Sequence, residues 1–366
     1  MKATIAVDAT EGAARAGTVA TARGTFRTPC FMPVATRGAV RHLSAVDLER
    51  LGFEVVLANT YHLTLRPGHE VVRSLGGLHG FMDWSGHVLT DSGGYQVFSL
   101  EPKVDDDGAT FRSTYDGTLV RFTPEHAVAV QEALGADIQM VLDVCPPLPS
   151  PPEVVRSAVE RTAAWATRAR AAHTRVHDQC LFGIVQGGVD PALRAESAQR
   201  TVDLDFDGYA IGGLSVGESI DEMLPALEAA ITHLPADQPR YLMGVGDPVG
   251  LVESVARGVD LFDCVLPTRL GRHGTVLTAA GRLNLRNARF AGDDGPLDPT
   301  CGCEVCARHS RGYLRHLLKV DEPTGPRLLT LHNLAWLRAL VVRAGDAVRA
   351  GTLAELRAEV AAAWEP

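Results

Sequence analysis

Eight short apolar runs rich in β-branched residues, separated by stretches of helical spacing, limit what this chain can fold into more than any other feature. They are CFMPVA (30–35), EVVLANT (54–60), HVLTDSGG (87–94), DIQMVLDVC (137–145), LFGIVQGG (181–188), GYAIGGL (208–214), RYLMGVGD (240–247) and GVDLFDCV (258–265). A run without polar alternation suits a strand buried on both faces, hence a parallel sheet covered by helices. After Pro152, Val155, Ala158, Val159, Thr162, Trp165, Ala166 and Ala169 recur on one helical face, which predicts a crossover helix. Further helices are expected at 44–51, 124–134, 191–201, 220–231 and 248–257. Eight strands alternating with helices predict a (β/α)₈ barrel, with an open doubly wound sheet as the alternative. At 366 residues the chain has room for a closed barrel and an appended piece.

Barrels of this kind build their chemistry at the C-terminal strand ends. There the runs stop at Asn59, Asp91 with Ser92, Asp143, Gln186 with Gly187 and Gly188, Gly212 with Gly213, and Asp263. Any one of these aspartates can equally cap a helix or set a turn. As a set, three carboxylates and an amide are expected to converge on one mouth. The paired glycines in DSGGYQ, VQGG and IGGLSVGE let a ligand approach the backbone closely. No GxxxxGK[ST] or GxGxxG pattern opens a helix, so a nucleotide cofactor is not indicated. The turns suit a flat ring, whose two faces Tyr95 and Met243 can cover unless both simply fill the core.

Three of the seven cysteines crowd into CGCEVC, which suits a metal clamp in a reducing compartment better than a disulfide framework. Cys301, Cys303 and Cys306 with His332 would make a closed shell of three thiolates and an imidazole, the chemistry of a structural zinc site. His309 and His316 are rival fourth ligands, but His332 would tie back a distant segment. Three reduced cysteines without metal are the plainer alternative. Cys30, Cys145, Cys180 and Cys264 read as core residues.

The net charge is −9, yet residues 266–319 hold nine Lys or Arg against four Asp or Glu. That basic stretch suits polyanion binding or a solvated face. No run approaches the ~18 apolar residues of a membrane span, and MKATIAVDATEGAARAG has no apolar segment of secretory type. A cytoplasmic protein without membrane association is expected.

TDSGGYQVFSL, LDVC, GIVQGG, YAIGGLSVGE, YLMGVG, FDCVLPTRLGRHG and CGCEVC followed by LHNL stand in the order and spacing of the tRNA-guanine transglycosylases, which this chain resembles over nearly its whole length. The resemblance implies a single (β/α)₈ barrel domain over 1–366, with a zinc-binding subdomain at about 285–340 near the C-terminus. It implies one structural Zn²⁺ per chain on Cys301, Cys303, Cys306 and His332. By the same likeness Asp263 is the nucleophile toward the ribose C1′, and Asp91 the general acid/base. Asp143, Gln186 and Gly213 read the edge of the base, Tyr95 and Met243 sandwich it, and Ser92, Gly212 and Leu214 complete its site. Arg269 and Arg272 contact tRNA.

The resemblance further implies exchange of guanine at the wobble position of a tRNA with a G-U-N anticodon for 7-aminomethyl-7-deazaguanine, by a homodimer, in queuosine biosynthesis. Cys145 and Val216 match the bulkier pocket residues of bacterial members, which exclude queuine. No added RNA-binding domain is expected before the end at Pro366. Val144 departs from the acid that many bacterial members carry there, which with Glu218 helps a backbone peptide adapt between bases. A non-catalytic tRNA-binding homologue and an unrelated barrel glycosidase are the rival readings; Asp91 with Asp263 disfavours the first, and CGCEVC with PTRLGR the second.

Overall fold

The computed structural model describes residues 3–100 and 102–364. Each of the eight apolar runs forms a strand: β1 (Cys30–Ala35), β2 (Val55–Ala58), β3 (His87–Thr90), β4 (Ile138–Met140), β5 (Cys180–Val185), β6 (Gly208–Ile211), β7 (Arg240–Leu242) and β8 (Leu261–Cys264). They pair in parallel and in chain order. β3 joins β4, and β8 returns to β1 with Leu261 opposite Cys30 and Asp263 opposite Met32, so the sheet closes into a barrel. Closure excludes the open doubly wound sheet. The helices supply the outer cover that buries the strands on both faces.

Local chemistry explains where those helices start. Pro152 opens the helix Pro152–Ala172, whose buried stripe is Val155, Ala158, Val159, Thr162, Trp165, Ala166 and Ala169, as the spacing predicts. Asp190 caps Pro191–Val202 by accepting from the Ala192 and Leu193 amides, and Ser219 with Glu222 makes a reciprocal capping box on Ile220–Ile231. At the far end of Pro124–Leu134, Gly135 takes the left-handed conformation at φ 73° that terminates a helix without a Cβ clash.

Three elements escape the period-based reading. An antiparallel sheet of Thr4–Glu11, Ala14–Thr21 and Gly24–Thr28 precedes the barrel and packs against the N-terminal ends of β7 and β8. Its anchor is Arg15, 4% exposed, whose guanidinium grips the fully buried Asp260 carboxylate at 2.8 and 2.5 Å and the Ala236 and Gln238 carbonyls. A second sheet, Lys103–Val104, Ala109–Arg112 and Leu119–Phe122, is inserted after β3 and shares an apolar cluster with Val97, Val144 and Trp165. The third is the C-terminal part: a ribbon of Thr275–Thr278 and Gly281–Asn284, then helices Glu304–Arg308, Arg311–Lys319, Thr324–Ala350 and Leu353–Trp364. Val276, Leu285, Phe290, Leu297, Val305 and Leu314 form its separate core. The 27-residue helix Thr324–Ala350 serves both cores, with Leu328 and Leu329 in the small one and Leu334, Leu337 and Val341 in the barrel's. Among the described residues no helix is long and apolar enough to cross a membrane.

Asp260→Ala should destabilise the fold by about 3–5 kcal/mol in urea unfolding, because the buried Arg15 charge loses its counter-ion. A loss below about 1 kcal/mol would mean that the floor sheet is not held by this pair.

Candidate active site and metal centre

The C-terminal strand ends enclose a cavity of about 600 Å³. Asp91, Ser92, Tyr95, Asp143, Cys145, Gly212, Gly213, Leu214, Val216, Met243, Asp263 and Arg269 all line it, so sites separated by more than 170 positions share one space. Tyr95 is 62% exposed at its rim, which removes the reading of that ring as core. Met243 lies half-buried on the wall.

Asp263 ends β8. Its Oδ1 accepts from the Tyr241 hydroxyl at 2.6 Å and the Gly244 amide at 2.8 Å, while Oδ2 has no partner among the described residues. Burial raises its pKa, and those two donors pull the other way by stabilising the anion. Asp91 follows β3. Its Oδ1 accepts from the Thr60 amide at 2.9 Å and the Gly93 amide at 3.1 Å, and its Oδ2 from the Asn59 side chain at 2.5 Å. Burial pushes Asp91 up to about 7, and the Asp263 carboxylate pushes in the same direction against the three donors. The two carboxyls therefore sense each other, and one of them titrates where it can both hold and release a proton at neutral pH.

Asp143 lies deeper, 5% exposed, accepting from Gln186 Nε2 at 2.6 Å and Ser92 Oγ at 3.3 Å. Burial pushes it up to about 6. Gln186 is placed behind Asp143, 1% exposed and bonded to it, and is not among the lining residues. A Cβ at Gly213, where φ is +65°, would fall 2.2 Å from Gln186 Oε1, so only glycine fits there. Val144 turns away from the cavity into the inserted sheet's apolar cluster, its amide bonded to Thr162 at 2.9 Å. Glu218 accepts from the Ser215 and Val216 amides, fixing the loop after β6.

Several contributors were not legible as site residues. Arg194 is fully buried in the stripe of its helix and donates to the carbonyls of Val185, Gly188, Gly212 and Gly213. Burial lowers it to about 10, and no carboxylate pairs with it among the described residues. A charged residue in an otherwise apolar and small-residue stripe was the available signal. Tyr241, Gly244, His62 and Arg282 also line the cavity. Tyr241's hydroxyl within an apolar strand was a further signal.

The cysteine cluster lies in the C-terminal part. The ligand atoms of Cys301, Cys303, Cys306 and His332 all fall within 4.8 Å of one another. His332 Nδ1 stands 3.8, 3.5 and 3.3 Å from the three sulfurs. A tetrahedral ion with ordinary zinc–sulfur and zinc–nitrogen bonds separates S from N by roughly 3.5 Å, so the donor set fits. His332 Nε2 faces the Leu277 carbonyl at 2.8 Å, which fixes the tautomer that leaves Nδ1 free to ligate. The rivals His309 and His316 are not in the group. A second cavity of about 620 Å³ beside this cluster is lined by Asp47, Glu304 and Glu359, but each of these carboxylates is ion-paired, to Arg327, Arg308 and Arg343.

A closed parallel barrel with coupled carboxylates at its rim, carrying a Cys₃His site on an appended part, defines a barrel enzyme with a separate metal-holding element. Residues 8–366 match the protein family described as Queuine tRNA-ribosyltransferase. The chain belongs to that family, whose members are pentosyltransferases. It is 54% identical over 352 residues to a protein of that name in Desulforudis audaxviator, covering 96% of this chain and 95% of the relative. It is 52% identical over 347 residues to one in Herpetosiphon aurantiacus, covering 94% and 88%.

Two outcomes follow from this geometry. In Asp263→Asn, the Asp91 carboxyl should titrate below about 7, since a charge that raises it is gone; carbon NMR of labelled aspartate reads this, and an unmoved titration would mean the pair is uncoupled. Cys303→Ala should lower the metal-to-chain ratio measured by mass spectrometry and reduce the melting temperature. Retention of a full equivalent of metal would remove Cys303 from the ligand set.

Proposed function

We propose that this chain is a tRNA-guanine transglycosylase that replaces guanine at the wobble position (G34) of a G-U-N anticodon with 7-aminomethyl-7-deazaguanine. The observation that carries the reading is Asp263, with Oδ1 held by two donors and Oδ2 unengaged, in the same cavity as a second carboxyl that titrates near 7.

In the first step Asp263 Oδ2 bonds to the ribose C1′ as the bond from C1′ to guanine N9 breaks, and the base takes the electron pair. Asp91 supplies a proton to the departing guanine. The incoming deazaguanine then gives its N9 proton to Asp91 and attacks C1′, and the Asp263 ester bond breaks. Two displacements retain configuration, and the phosphodiester backbone is never cut. Tyr241 and Gly244 stabilise the Asp263 anion against burial, and nucleophilic attack needs that anion.

Asp143, as an acceptor, pairs with the N1 and 2-amino donors of a guanine-like edge and leaves an adenine edge unpaired. Gln186 holds Asp143 in place; to reach the base oxygen, its Nε2 would have to leave that carboxylate. Tyr95 and Met243 cover the ring faces, and Ser92, Gly212, Gly213 and Leu214 line its site. Cys145 and Val216 occupy the wall where the large ring substituent of queuine would lie. Because Val144 faces an apolar cluster, adaptation of the loop after β6 falls to Glu218 alone. Zn²⁺ on Cys301, Cys303, Cys306 and His332 would be structural, pinning the CGCEVC loop to helix Thr324–Ala350 with no open coordination position. Arg269 and Arg272 serve the RNA. We also take the enzyme to be a cytoplasmic homodimer with the C-terminal zinc part as its subdomain.

Asp263→Ala should abolish guanine release from a U-G-U anticodon hairpin and the denaturation-resistant protein–RNA adduct, while RNA binding persists. Gel analysis reads the adduct and mass spectrometry the exchanged base; an adduct surviving in the variant would end the nucleophile assignment.

A further inference from the structure

Arginines over much of this acidic protein are neutralised: Arg168 by Glu125, Arg257 by Glu228 and Glu253, and Arg121 by Asp105. At the cavity mouth they are not. Arg37, Arg66, Arg269 and Arg282 have no ion-pair partner among the described residues. Arg269 and Arg282 line the cavity.

The other two are organised by a tyrosine from the inserted sheet. Tyr115, on the turn between Ala109–Arg112 and Leu119–Phe122, has the Arg66 guanidinium 4.8 Å and the Arg37 guanidinium 5.5 Å from its ring centroid. Both arginines are exposed. One ring thus gathers two cations from distant segments, neither with a carboxylate partner among the described residues, an arrangement that a bound phosphate would stabilise. A guanidinium held over a ring in this way keeps N–H donors available for bidentate contact with phosphate.

The cluster adjoins the active cavity. His62, which lines that cavity, approaches the Tyr115 hydroxyl with Nδ1 at 3.4 Å. Burial lowers the pKa of His62 and Arg37 lowers it further, so the imidazole stays neutral beside the two cations.

We propose that Arg37 and Arg66, gathered over Tyr115 in the loops after β1 and β2, form a second phosphate clamp for the RNA backbone, separate from Arg269 and Arg282. A nucleotide drawn into the cavity has a phosphate on each side, so two basic groups at the mouth can hold both. This rests on the transglycosylase reading above. The inserted sheet thereby delivers the aromatic platform that orders the clamp.

The test measures KM for an anticodon hairpin against salt concentration in the full-length enzyme. Each phosphate contact to single-stranded RNA contributes about 0.7 to the logarithmic salt slope, so Arg37→Ala/Arg66→Ala should flatten it by about 1.4 and raise KM, with kcat at saturating RNA retained. Tyr115→Leu keeps both charges and should raise KM with the slope unchanged. Arg200→Ala, which removes one positive charge already paired to Glu196, should change neither. An unaltered slope in the double variant overturns the clamp while wild-type exchange persists. Absence of exchange by the wild type instead overturns the function on which the clamp rests.

Discussion

Closure of the barrel is the constraint on which the rest depends. The β8–β1 pairing leaves no free sheet edge, and parallel order points every C-terminal strand end the same way. Residues 91, 143 and 263 share no local relationship in sequence, yet each stands at the end of a strand or just beyond it. Their meeting in one cavity follows from topology. Side-chain chemistry then decides what the meeting can do, which is why the Arg15–Asp260 pair at the barrel floor and the Asp263 carboxyl, three residues apart, have unrelated roles.

Inside the cavity the governing term is burial of like charge. Desolvation raises Asp91, Asp143 and Asp263 alike, so any division of labour must come from their donors. Asp263 has one oxygen saturated by Tyr241 and Gly244 and the other unengaged, a lopsided arrangement suited to a nucleophile. Asp91 has donors on both oxygens, which hold it in orientation, while the charge at 263 helps keep it near neutrality. Asp143 exchanges weaker company, a serine and an amide, and those are donors a ligand edge can share or replace. Environments that separate similar groups in this way are what distinct acid, base and nucleophile roles require.

The eight strands, the crossover stripe from Val155 to Ala169 and the Cys₃His set were legible because each is written in one residue class at regular or tight spacing. The N-terminal sheet was not. Its first strand, TIAVDATE, alternates poorly because most of its residues are solvent-facing, so period two carries little signal. The inserted sheet hid for a related reason: short strands with polar turns resemble a loop until Tyr61, Phe111 and Trp165 are seen to share a cluster. Gln186 shows the limit at the site itself. Sequence position brings an amide to the mouth, but only packing reveals that Asp143 occupies its donor.

Arg194 shows how the scaffold turns backbone into a recognition surface. In a trans peptide the carbonyl and the following N–H point to opposite sides. With the Gly212 and Gly213 carbonyls drawn to the buried guanidinium at 2.6 and 3.0 Å, the amides of Gly213 and Leu214 must face the other way, and both residues line the cavity. A buried cation at the start of a helix is unfavourable with the local dipole, and here carbonyl oxygens compensate it, with the Glu218 carboxylate favouring the charge at longer range. The same guanidinium also binds Val185 and Gly188, so it locks the end of β5 to the end of β6. The glycines are thus held rigid by a neighbour rather than left free, and their absent side chains serve close approach.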